Sequence, residues 1–228
     1  MTVTPDQLFR RQTGFYAPQD HPHDRVTFVG VGGIGSFAAL ATAKLGVPSL
    51  TLIDPDSVEA HNVPNQFSPL SKLGLPKTHA LEEEIASHMG EAVSVESAVR
   101  TIAEWEGEYR GVVVSGLDSM TPRHELWEKL KMNVQVPLYI DGRIAGQRMI
   151  LYSVNPTNLT DIQKYEETLH ADGEAEPANC TERGLIDVGF QIAALITRQV
   201  RMHLTGQEVP KLITMNMQTL TLRKGDWL

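Results

Sequence analysis

The chain has 228 residues, 41% of them hydrophobic, enough to bury a sizeable core without demanding more than one domain. Its 28 Asp plus Glu against 20 Lys plus Arg give a net charge of -8, which argues against broad contact with nucleic acid or an anionic membrane. A single cysteine, Cys180, excludes an internal disulfide framework and every multi-cysteine zinc site, and suits a reducing cytoplasm.

Residues 1–25 read as a polar N-terminal arm with Leu8 and Phe9 as candidate anchors. Asp6, Arg10, Arg11 and Asp20 break any secretory pattern there, and no run approaches the ~20 apolar residues of a membrane span. The apolar run 26–29 then feeds Gly30-Val31-Gly32-Gly33-Ile34-Gly35-Ser36 and an alanine-rich segment, which predicts strand, turn and helix. Gly30 suits the tight turn, Gly32 lets a phosphate approach the backbone, and Gly35 lets the helix pack close to the strand. The free amides of a helix start attract an anion. The helix over 37–45 stops at Gly46 with Pro48 beyond, and a strand over 50–53 ends in Asp54, near the distance of about 20 residues at which a carboxylate can accept ribose hydroxyls.

Residues 57–76 carry three prolines beside Asn62, Asn65 and Gln66, an irregular stretch long enough to suggest a functional loop. A helix over 77–89 and a strand over 92–99 come next, followed by Trp105 on a short helix. The β-branched run 111–115 predicts a buried strand reaching Asp118, with Thr121-Pro122 as N-cap and first helical residue. Strands over 136–140 and 149–154 bracket Asp141 and Arg143, and 155–179 is polar, without apolar periodicity and expected to be a mobile crossover loop. A helix over 184–204 shows an apolar stripe, and 212–222 alternates as a strand. Strands alternating with helices predict an α/β, Rossmann-like, doubly wound and mostly parallel sheet with C-terminal strands, and a crevice outside the strands' carboxyl ends. Gly32, Asp54, Asp118 and Asp141 all fall on that edge.

These residues, in this order, resemble the ThiF-type adenylyltransferases, the superfamily that includes the activating enzymes for ubiquitin and for the sulfur carriers of thiamine and molybdopterin synthesis. The likeness covers nearly the whole chain as a single adenylation domain: the glycine loop, Asp54-Pro55-Asp56 with Asn62 and Gln66, then Leu75-Pro76-Lys77, Asp118 with Arg123, and Cys180 ahead of an apolar helix. It implies that the terminal glycine carboxylate of a small ubiquitin-like or sulfur-carrier protein ending in Gly-Gly attacks the α-phosphate of ATP. Gly30, Gly32, Gly33, Gly35, Asp54, Asp56, Asn62, Gln66 and Lys77 would then bind the nucleotide. Asp118 would hold Mg2+, and Arg11 would reach into the partner subunit's site of a homodimer. Asn65 stands where the family usually has an arginine. With one cysteine, no zinc is expected.

Simpler readings stand beside these. Lys77 can be a surface residue, although a cation at a helix start opposes the helix dipole by about 0.3 to 1 kcal/mol. Asp118 can cap the following helix, Arg123 can sit on a helix surface or brace Asp118, and Cys180 is either a small buried hydrophobe or a thiolate nucleophile accepting the activated carboxyl. A nicotinamide-dependent oxidoreductase, a degenerate nucleotide-binding module and activation of a carbamoyl group on transfer RNA remain the competing functions.

Overall fold

In the computed structural model, which describes residues 5–171 and 185–227, the chain opens with α1 (Pro5–Phe9), β1 (Arg25–Val29), α2 (Gly35–Leu45) and β2 (Ser49–Ile53). There follow α3 (Lys77–Met89), β3 (Ser94–Ala98), β4 (Val112–Ser115), α4 (Met120–Leu130), β5 (Leu138–Ala145) and β6 (Arg148–Val154). The last elements are α5 (Leu159–Glu166), α6 (Ile186–Leu204), β7 (Leu212–Asn216) and β8 (Thr221–Gly225). One sheet takes the order β3-β2-β1-β4-β5-β6-β7-β8, parallel from β3 to β5 and antiparallel from there to β8. The order reverses at β1, which lies between β2 and β4, and at such a switch point a crevice opens above the strands' carboxyl ends.

The apolar runs of the central strands supply both faces of this sheet, as buried parallel strands require. Val26 and Phe28 of β1, Leu50 and Leu52 of β2, and Val112 and Val114 of β4 meet α2, α3 and α6 on one face. Val29, Ile53, Val113 and Tyr139 meet Leu126, Trp127 and Leu130 of α4, with Ile162 and Tyr165 of α5, on the other. Each such side chain contributes roughly 1.5–3 kcal/mol by leaving water.

The predicted helix over 77–89 coincides with α3, and the α/β, doubly wound architecture is the one expected. Of the two anchors expected in the N-terminal arm, Phe9 is buried, with Pro18 beside it where a side chain at Gly46 would stand, and Leu8 is 41% exposed; Tyr16 is buried as well. Four local expectations need correcting. No helix forms around Trp105, which packs half-buried against the second core. Helix α4 starts one residue before Thr121, with Ser119 at the N-cap. Within 155–179, residues 159–166 form α5, because Asn158 accepts a hydrogen bond from the Asp161 amide as N-cap and Ile162 and Tyr165 bury themselves. The 212–222 stretch is two strands, β7 and part of β8, joined by a turn in which Leu220 takes φ +54°. Among the described residues, no helix is long and apolar enough to cross a membrane.

Candidate active site

Three glycines build the floor of the crevice. Gly30 has φ +81° and donates its N–H to the Ile53 carbonyl at 2.8 Å, turning the chain off β1. A Cβ on Gly35 would come within 1.9 Å of the Gly30 carbonyl oxygen, so α2 can start this close to the turn only as glycine. Gly116, just past β4, fits against both: a Cβ there would lie 2.9 Å from the Gly35 nitrogen. The open side of the turn carries Gly32 and Gly33, beside the start of α2, where Ser36 N–H donates to the Gly32 carbonyl at 3.0 Å and Ala38 N–H to the Ile34 carbonyl at 3.1 Å.

Asp54 organises this turn from β2. Its carboxylate accepts the Val31 N–H at 2.8 Å and the Asp56 N–H at 2.9 Å. Burial raises its carboxyl above the ordinary value, while Lys77 and the two amides pull in the opposite direction. Asp56 is the more open acid and meets Lys77 Nζ at 2.7 Å. That pairing depends on the 57–76 excursion, which is pinned at its base: Lys77 N–H donates to the Asp56 carbonyl and Val58 N–H to the Leu75 carbonyl, both at 2.8 Å. Its far part returns to the glycine turn, where Phe67 N–H donates to Ser36 Oγ at 3.0 Å.

Gly30, Gly32, Gly33, Asp54, Asp56, Asn62, Gln66, Lys77 and Asp118 therefore line one crevice of about 630 Å³. Gly35 lies beneath it. Asn62 uses its carboxamide oxygen to accept the Glu59 N–H, which leaves its amide hydrogens for a ligand. The Gln66 carboxamide oxygen is buried without a hydrogen-bond partner, and its nitrogen lies 3.7 Å from where a side chain at Gly32 would begin. An orphaned buried carboxamide oxygen costs stability unless a bound molecule supplies it with a hydrogen-bond donor.

Asp118 is exposed at the crevice wall, at the carboxyl end of β4. Arg123 braces its turn: Nη2 donates to the Leu117 carbonyl at 2.7 Å and Nη1 to the Ser119 carbonyl at 3.0 Å. Nε of the same arginine donates to Asp141 at 2.9 Å. Asp141 lies at the predicted strand end, but it is fully buried and faces away from the crevice, toward α4 and α5. Burial would raise its carboxyl; Arg123 and Arg143, with Ser115 donating, reverse that and hold it at about 2.

Arg11 is exposed beyond the C-terminal end of α2, where its neighbour Gln12 donates to the Leu45 carbonyl. An 11-residue helix separates it from the glycine turn, about 16 Å at 1.5 Å per residue, so it does not enter its own chain's crevice. Cys180 lies outside the described residues. The structure adds Arg100, Thr101 and Ile102 from the carboxyl end of β3, and Pro122 and Glu125 from the first turns of α4. The signal that could have found the first three was the sheet rule itself, which places every parallel strand's carboxyl end on this rim. Among the described residues no three His, Cys, Asp or Glu side chains gather into a metal cage. Asp118 is suited to Mg2+, which commonly takes one or two carboxylates and completes its shell with substrate phosphates and water.

A family model described as the ThiF family matches residues 16–227. The tRNA threonylcarbamoyladenosine dehydratase of Escherichia coli is 32% identical over 146 residues, covering 61% of this chain and 52% of that protein. The molybdopterin-synthase adenylyltransferase of Haemophilus influenzae is 26% identical over 167 residues, covering 69% and 68%. The chain thus spans about half the length of the first of these relatives. Among solved structures, Escherichia coli MccB with ATP has a TM-score of 0.75 at 17% identity, covering 99% of this chain and 72% of that one, a likeness of fold.

Proposed function

The chain belongs to the ThiF family, and from that premise we propose that it activates a carboxylate by adenylation, the preferred substrate being the C-terminal glycine of a small ubiquitin-like or sulfur-carrier protein. The observation that carries this reading is the convergence of Lys77, Asp118 and the carboxamides of Asn62 and Gln66 on the glycine turn. A nicotinamide oxidoreductase would need the turn and Asp54 but would leave Lys77 and Asp118 without a task.

In the proposed reaction a carboxylate oxygen forms a bond to the α-phosphorus of ATP. The bond to the β-phosphate oxygen breaks, and pyrophosphate leaves with that electron pair. Mg2+, when bound, neutralises charge on the leaving phosphates. The chain's own part is preorganisation. The amides after Gly32 and at the start of α2 face the phosphates, Lys77 exchanges its contact with Asp56 for a phosphate oxygen, and Asn62 and Gln66 donate amide hydrogens. Asp54 and Asp56 stand at the carboxyl end of β2, the usual place for a ribose. With Asn65 in place of an arginine, Arg100 on the same crevice supplies the other cation.

The dehydratase relatives favour a second substrate, a carboxylate on a tRNA nucleoside. Charge weighs against it: Asp54, Asp56, Glu59, Asp118 and Glu125 line the crevice against Lys77 and Arg100, on a chain of net charge -8. Pyrophosphate exchange with ATP and Mg2+ separates the two. Exchange dependent on a small protein ending in Gly-Gly is expected; exchange dependent on a tRNA carrying threonylcarbamoyladenosine would transfer the proposal to the second substrate. Nucleotide binding with exchange on neither would end both.

A further inference from the structure

Among the described residues Asp141 is the most completely buried acid, and it sits between the Asp118 turn and the chain at Thr168. Each of its oxygens accepts two donors. Oδ1 takes Arg123 Nε at 2.9 Å and Ser115 Oγ at 2.7 Å; Oδ2 takes Arg143 Nε at 2.7 Å and the Tyr165 hydroxyl at 2.9 Å. The far ends of both arginines grip backbone. Arg123 holds the carbonyls of Leu117 and Ser119, on either side of Asp118. Arg143 donates to the Thr168 carbonyl at 2.9 Å and to Thr168 Oγ1 at 3.1 Å, with its guanidinium 4.7 Å from the centre of the Tyr152 ring. Two arginines side by side would repel each other, and a planar guanidinium that must present separate N–H groups to a carboxylate and to carbonyls keeps its orientation only if the carboxylate is fixed.

We propose that Asp141 is a positioning residue for the nucleotide site, fixing the Asp118 turn through Arg123 and the chain at Thr168 through Arg143. The inference rests on the reading of Asp118 as a group that faces the magnesium-bound triphosphate. Its reach is larger than that of a structural ion pair: the same carboxylate sets where an exposed acid on the crevice wall stands. Replacing an outer partner of a metal-binding group commonly weakens metal affinity about 10–100-fold.

The test uses the full chain with Arg123→Lys, which keeps a positive charge beside Asp141 but cannot fork to two carbonyls. It is compared with Arg143→Lys, which releases only Thr168, and with Asp141→Asn where that variant folds. Two readouts are taken: the affinity for ATP as a function of Mg2+ by calorimetry, and amide hydrogen exchange at 117–119 and 168–171. Arg123→Lys is expected to weaken the magnesium-dependent affinity about 10-fold or more and to speed exchange at 117–119. Arg143→Lys is expected to speed exchange at 168–171 and to change the nucleotide affinity less than about twofold. A folded Arg123→Lys with unchanged magnesium dependence and unchanged exchange at 117–119 would overturn the proposal. Neither readout needs turnover, so a chain that binds ATP but exchanges no pyrophosphate would defeat the adenylation reading while leaving this one to be decided.

Discussion

Lys77 sits at the first position of α3, where the helix dipole disfavours a cation, and Asp56 at 2.7 Å holds it there. Such a local misfit, held by a neighbouring carboxylate, is the basis for proposing Lys77 as a working residue. Lys77→Met is expected to lower pyrophosphate exchange about 10²- to 10³-fold with the circular dichroism spectrum unchanged, the usual effect of removing a preorganised donor. Exchange at the unaltered rate would take Lys77 out of the chemistry. Asp141 makes a prediction on pH. Its folded-state value of about 2 lies below the ordinary carboxylate value near 4, so its contribution to stability is fully present above pH about 4 and is lost as pH falls toward 2. Thermal midpoints taken across that window should fall for the native chain and fall less for a folded Asp141→Asn; equal slopes would assign the titration to other acids. The glycine turn was legible because it acts through backbone geometry that a few adjacent residues encode, whereas Asp54, read as a ribose acceptor, accepts the Val31 and Asp56 amides. Arg123 was legible only as a choice between surface and brace, because the acid that decides it lies 18 residues away on another strand.

Helix α2 can dock where it does because Gly30, Gly35 and Gly116 touch one another, so its position and the shape of the anion site are a single property. Gly35→Ala should therefore lower the thermal midpoint and the ATP affinity together; loss of one without the other would separate docking from binding. In the N-terminal arm the anchor read at Phe9 packs at the C-terminal end of α2, against Gly46, and Phe9→Ala is expected to cost about 3–5 kcal/mol in denaturant unfolding. A cost under about 1 kcal/mol would return the arm to the surface. Helix α5 escaped the sequence reading because its eight residues are mostly polar. Of its apolar side chains Leu159 is exposed and only Ile162 and Tyr165 are buried, and the buried Asp161 finds Lys211 and Trp227 from the far end of the chain.

A crevice richer in acids than in bases, on a chain of net charge -8, should take a nucleotide best when a divalent cation accompanies it. Mg2+ with ATP at about 100 times the dissociation constant should stabilise the fold by about 2.7 kcal/mol, read as a rise in thermal midpoint, whereas ATP without Mg2+ or NADH should do much less. An equal rise with NADH would favour the oxidoreductase. Periodicity and the spacing of glycine, acid and lysine were sufficient to give the doubly wound sheet and most of its rim, since each of those signals is local and repeats at the period of a strand or helix. The rest was settled by folding alone. That Asp54 spends its oxygens on the turn's own amides, that Gly116 closes the floor, and that Asp141 anchors the Asp118 turn are contacts between elements. Distances of that kind exist only after the sheet has brought separate strands' ends together.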